Sequence, residues 1–376
     1  ERIAEIDGHF AIMARNNHIV RMARSLQLPL RYFIVKKVAG PALLIAERID
    51  QIRTWLDTHG FADQFHPSYT RMVPAHHLTE IALVGCPDPN PVCTRFFDPK
   101  RNCQDSNFGE TYIAELVSSI SKWLDQIPDH EPVGVLFSGG IDSGAVFLAV
   151  HHVMKTCGMN LARLKAFTLS VDGGGKDVNQ AREFLSSLDL ELFHEIISVP
   201  EDWIDLEQAV STIEDYKPLD IQAGAMTLAL CRGIRERYPD FTYLIDGDGG
   251  DENLKDYPIE ENPELTIKSV LSNQMLYQEG WGVDAIKHSL TFSGGLSRAC
   301  TRGYAPMTRF GFKGFSPFML PKVIQIAEGI PFIELTDWDH EKLYALKGDI
   351  VSQGIEAVIG THMPTFEKCR FQHGAT

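Results

Sequence analysis

The chain has 376 residues, 44% of them hydrophobic and 23% charged, with Lys+Arg 35 against Asp+Glu 50 and a formal net charge of −15. That length supports two domains that each bury a core, and no apolar run reaches the roughly 20 residues that a membrane helix needs. The acidic balance argues against a general grip on nucleic acid, which demands a basic face, but leaves room for a nucleotide held with the help of a metal ion.

Taken in chain order, the first hundred residues read as β-rich. "HFAIMA", "RYFIVKKV" and "PALLIAE" are short β-prone runs between polar turns, and "IDQIRTWLDTHG" reads as a short helix closed by a glycine. The Pro- and Asp-rich stretch 86–107, "CPDPNPVCTRFFDPKRNCQDSN", is the linker candidate, which sets a boundary near residue 105. It carries Cys86, Cys93 and Cys103, three of the seven cysteines. An odd count of mostly distant cysteines suits free thiols in a reducing, cytoplasmic compartment, and the tight C-x-x-C pair of a zinc site is absent.

Beyond the linker the rhythm changes. "TYIAELVSSISKWLDQI" has helical spacing, "VGVLF" is a buried strand, and "GAVFLAVHHVMKTCG" is a helix stopped by Gly158. "LKAFTLSV", "FHEIISV" and "FTYLID" continue as strands, alternating with the helices "VNQAREFLSSLDL" and "AMTLALCRGIRERY". Such alternation predicts an α/β fold with a parallel sheet and helices on both faces. Ligands of such sheets sit at the carboxyl ends of the strands.

Two turns at strand ends carry the chemistry. In "VGVLFSGGIDS", Ser138, Gly139 and Gly140 bend the chain and a helix begins near Ser143. Adjacent glycines let backbone amides approach an anion, a helix N-terminus adds donors, and the two serines add hydroxyls. Asp142 would repel a phosphate unless it holds Mg²⁺; the plainer alternative is a glycine turn with an aspartate cap. The second turn, "LIDGDGGDENLKDY", follows the strand "FTYLI" with acids and glycines, so Asp251 is the counterpart of Asp142 in a Mg²⁺-pyrophosphate clamp.

"VGVLFSGGIDS" followed by "DGDGGDE" resembles the synthetase domain of asparagine synthetases and their relatives, the PP-loop ATP pyrophosphatases. "GFSPFMLPKVIQIA" and "EKCRFQHGA" are similar to the C-terminal signatures of that family. "DGHFAIMA", "ARSLQLPLRYF" and "LLIAERIDQI" resemble the second half of its class II glutaminase domain, in degenerate form. The resemblance implies an Ntn-type glutaminase-like part with linker over 1–105 and an ATP-binding synthetase domain over 106–376. It also implies an amide-forming ligase that uses ATP and Mg²⁺ to adenylate a carboxylate, releasing pyrophosphate, before an amine attacks.

Carried over by position, the resemblance assigns Ser138, Gly139, Gly140 and Ser143 to phosphate, Asp142 and Asp251 to Mg²⁺, and Leu136 and Leu169 to the adenine pocket. Gly247 falls at a nucleotide contact, with Asp246 in place of the usual serine beside it. Asp248 stands where the amine is oriented or deprotonated. The cation for developing charge is Lys347, with Lys342 as second choice.

The chain begins at Glu1, inside the second half of a glutaminase domain, and none of its cysteines matches the N-terminal nucleophile of such domains. Truncation or cleavage, first strands that are disordered or come from another chain, and loss in evolution each account for this; the chain is expected not to hydrolyse glutamine itself. The expected partners are a small carboxylic acid and ammonia or an amine, without nucleic acid or membrane. A homodimer, or a separate chain supplying the missing half, is the expected association.

β-Lactam synthetases, relatives that cyclise their substrate, carry Tyr at the position of Asp248 and a supporting Glu near the place of Glu279. The acid here favours intermolecular amidation; cyclisation and an inactive nucleotide-binding scaffold are the other readings. Arg298, Arg302 and Arg309 in and beside "SGGLSRACTRGYAP" either clamp a substrate carboxylate or coat the surface.

Overall fold

The computed structural model describes residues 2–66, 69–84, 91–103, 106–256, 259, 266–275 and 300–366. Cys86, Glu279, Arg298 and the "EKCRFQHGA" signature lie outside these described residues. The chain divides into two units, one of residues 1–98, 214–217 and 275–300 and the other of residues 99–213, 218–274 and 301–376.

The smaller unit holds β1 (Ala11–Asn16), β2 (Ile19–Arg24), β3 (Arg31–Val35), β4 (Ala42–Ala46), α1 (Ile49–Thr58), β5 (Arg71–Met72), β6 (His77–Ala82) and β7 (Val92–Arg95). They form two antiparallel sheets, ordered β1-β2-β6-β7 and β4-β3-β5. Alternation along β3 serves two cores: Tyr32 packs with Met22, Val73 and Ile81, while Phe33 and Val35 meet Ile52 and Leu56 of α1. Within the stretch expected to be linker, β7 pairs antiparallel with β6. The prolines cluster before it, leaving "VCTR" free to donate to a ladder.

The larger unit holds α2 (Phe108–Leu124), β8 (Val133–Leu136), α3 (Ile141–Thr156), β9 (Leu164–Val171), α4 (Lys176–Ser186), β10 (His194–Val199), α5 (Leu206–Ile213) and α6 (Pro218–Arg237). It continues with β11 (Tyr243–Ile245), α7 (Gly250–Leu254), α8 (Ile267–Ser272), α9 (Ala305–Arg309), β12 (Lys313–Phe315), α10 (Pro321–Gly329), α11 (Phe332–Thr336) and α12 (His340–Ile359). Five parallel strands run in the order β10-β9-β8-β11-β12.

Strand order reverses between β8 and β11. In an open parallel sheet that reversal leaves a crevice at the strands' carboxyl ends. The two glycine-rich loops both open there, because one follows β8 and the other follows β11. Helix α12 is brought to them by a close glycine contact with α2: a Cβ on Gly109 would lie 3.1 Å from the Gly354 nitrogen. No described helix is long and apolar enough to cross a membrane.

Candidate active site

The loop after β8 is built for close backbone approach. Gly139 has φ 75, and a Cβ there would lie 2.8 Å from the Ala181 nitrogen and Cα of α4, so both conformation and space require glycine. Helix α3 begins at Ile141, two residues earlier than expected, because Gly140 takes the N-cap position and no side chain caps it. Asp142 is therefore inside the first turn and is not a cap. The serine hydroxyls brace the loop: Ser143 Oγ donates to the Gly140 carbonyl at 3.2 Å and accepts from the Ser138 amide at 3.3 Å.

The loop after β11 packs directly on that first turn. A Cβ on Gly247 would lie 2.8 Å from the Ser143 nitrogen and 2.9 Å from the Asp142 carbonyl carbon, and one on Gly250 would run into the Asp142 carboxylate. The spacing of glycines in "DGDGGDE" thus records how closely the two loops meet. Asn253, fully buried, anchors α7 by donating to Phe318 O at 2.8 Å and Tyr112 Oη at 3.1 Å.

Lys347 of α12 joins the loops. Its Nζ, in a side chain only 3% exposed, donates to Asp142 Oδ2 at 2.7 Å and to Asp251 Oδ1, and lies 3.4 Å from Asp256 Oδ2. Burial alone would lower its pKa, but Asp142, Asp251 and Asp256 outweigh burial and hold it well above the usual lysine value. Lys342 sits exposed in the first turn of the same helix, where its backbone amide bonds the Asp339 cap at 3.2 Å. Of the two lysines, Lys347 is the one that lies between the two glycine-rich loops.

Asp142 and Asp251 already share one cation, so their oxygens converge on a common point, as a bridging metal needs. Their hard oxygens suit Mg²⁺, which takes one or two carboxylates together with substrate phosphates. Among the described residues no cluster of three or more His, Cys, Asp or Glu side chains forms a self-sufficient metal cage. The pair fits a Mg²⁺ that completes its coordination with substrate phosphates.

Leu136 ends β8 half-buried and packs against a core cluster that contains Leu169, itself 1% exposed. Asp246 and Asp248 follow β11, and the Asp248 amide donates to Asp246 Oδ1 at 3.1 Å. Burial pushes the Asp246 carboxyl above the carboxylate range, and burial together with Asp246 does the same to Asp248 against the opposing charge of Arg302. Arg302 binds Asp220 at 2.8 Å, so its charge is engaged within the protein, and Arg309 is exposed.

Asp256, Asp220 and Asp177 escaped the sequence reading. Asp177, in the first turn of α4, is 3% exposed and burial raises its carboxyl to about 7. An acid in a helix's first turn reads from sequence as an ordinary solvated residue, and only packing reveals the burial.

A family model for asparagine synthase matches residues 124–290, from the last residue of α2 through both glycine-rich loops. No curated protein matches the chain.

Proposed function

From the premise that the chain carries an asparagine synthase domain, of a family of ATP-dependent carbon–nitrogen ligases, we propose that it adenylates a substrate carboxylate and transfers ammonia or an amine to it. The observation that carries this reading is the buried Lys347 between Asp142 and Asp251, where two glycine loops meet at the sheet's switch point. A fold stabilised for its own sake has no use for three acids around one buried lysine, because like charges crowded together cost stability.

The loop amides of Gly139 and Gly140 and the start of α3 would receive the phosphates, with the half-buried Leu136 toward the adenine and Leu169 in the core cluster against which Leu136 packs. Asp142 and Asp251 would hold Mg²⁺, whose chemistry there is charge neutralisation on the departing pyrophosphate. As the substrate carboxylate attacks the α-phosphorus, Lys347 stabilises charge on the phosphoryl and acyl oxygens. Asp248 then accepts a proton from the amine, which attacks the acyl carbon as AMP leaves with the bonding pair. Aspartate is the default acid, as the commonest substrate among relatives.

The test is pyrophosphate release from ATP and Mg²⁺ across a panel of amino and sugar acids, with and without ammonium. Release that depends on one acid, with amide formed only when ammonium or an amine is added, is the expected result. A dehydrated product without added amine would indicate cyclisation, and nucleotide binding without release would indicate a scaffold.

A further inference from the structure

The serine that the resemblance expects beside Gly247 is here Asp246, 3% exposed at the end of β11. Its Oδ1 takes the Asp248 amide, whereas its Oδ2 has no hydrogen-bond partner among the described residues. Both Oδ2 atoms face one spot: a Cβ on Gly303 would lie 2.5 Å from Asp246 Oδ2 and 2.6 Å from Asp248 Oδ2. The two oxygens are thus no farther apart than the sum of those distances. Glycine at 303 leaves the space that both carboxyl groups use.

Two buried acids this close disfavour joint ionisation unless a cation joins them. Arg302 beside them is bound to Asp220, and its single charge also acts on Asp248, which leaves Asp246 without a cation of its own. The other titratable or charged groups around the pair are Asp251 and Glu252 of α7 and Cys231 of α6, with the Ser316 hydroxyl bonded to Asp246. None of these supplies a further positive charge. An ammonium group does, and it fits the chemistry required at this step.

We propose that Asp246 and Asp248 form a carboxylate pair that receives the nucleophile as a cation, so the amine substrate is ammonium or a primary alkylammonium group. This deepens the ligase reading and rests on it. A protonated amine must shed two protons to become an amide. One passes to Asp248 and frees the lone pair that attacks the acyl carbon; the other leaves the nitrogen of the tetrahedral adduct to Asp246 as the C–O bond to AMP breaks and AMP departs with its electrons. Serine could not accept the second proton at neutral pH.

The test compares the native chain with Asp246→Asn, Asp246→Ser and Gly303→Ala, using the acid that drives pyrophosphate release and ammonium chloride or methylammonium as amine. Amide formed per pyrophosphate released is followed from pH 6 to 9. In the native chain amide formation rises with pH as the pair ionises. Both Asp246 variants are expected to lose about 100-fold in amide per pyrophosphate, with a higher KM for ammonium and a displaced pH profile. Gly303→Ala, which parts the carboxyls without removing either, is expected to shift the same ratio and decides the matter if the Asp246 variants do not fold. Unchanged ratio, KM and pH profile in the variants would overturn the pair. Absence of acid-dependent release from the native chain would instead overturn the ligase reading and this inference with it.

Discussion

Buried charge is used differently in the two units. In the smaller one, Arg24 and Arg31 are 0% and 1% exposed, and each is matched locally. Arg24 donates to the carbonyls of Val73, Ser25, Leu26 and Leu28, and Arg31 meets Glu214 at 2.9 Å. In the larger unit one buried lysine faces three acids, and two further acids converge over Gly303. Matched charge holds a fold; crowded like charge costs stability and is kept where a reaction uses it.

The contrast predicts opposite consequences for removing a buried cation. Lys347→Met should lower acid-dependent pyrophosphate release by about 10²–10³-fold, as loss of a charge-stabilising donor does. Arg31→Met should instead lower unfolding free energy by about 1–3 kcal/mol, because Glu214 Oε2 loses its buried partner while Oε1 keeps Arg48 and the Ile49 amide, and activity per folded molecule is unchanged. Denaturant titration beside a turnover assay separates the two. A stability loss without activity loss in Lys347→Met would reverse the assignment.

The spacing of the loops offers a subtler probe. Gly250→Ala puts a methyl group into the Asp142 carboxylate and should shift it off its partners. A misplacement of this kind costs about 100-fold in turnover, with ATP affinity less affected. Kinetics at saturating and limiting ATP would show the split.

The smallest effect belongs to Asp177. Its folded carboxyl titrates at about 7 against an ordinary 3.8, so the folded state holds the extra proton between those values. Stability should therefore fall as pH rises from about 4 through 7, the reverse of a salt-bridged acid. Asp177→Asn should remove that decline, a difference on the order of 1–2 kcal/mol between pH 5 and pH 8 once solvent screening is counted. Unfolding midpoints at the two pH values check it; parallel curves for both proteins would contradict the burial of this group.

The local features were legible in the sequence. Strand-ending glycine loops, alternating elements and a β-rich first hundred residues follow from period and composition, which act over a few residues. Asp142 and Asp251 stood out because acids inside glycine-rich loops at strand ends need a reason. Lys347 was reached only through a resemblance near the C-terminus, since 205 residues separate it from Asp142 and no local pattern links them. The capture of Arg302 by Asp220, the third acid Asp256 and the strand β7 inside a proline-rich stretch all depend on packing. Period and propensity carry no information about which distant charge will be buried beside another.

The most direct measurement is acid-dependent pyrophosphate release from ATP and Mg²⁺ by the native chain and by Lys347→Met, with folding verified for both. The account predicts release with one acid of the panel by the native chain and its loss, by about 10²–10³-fold, in the variant. Equal release from the two proteins would contradict the claim that the lysine joining the two glycine loops carries the chemistry.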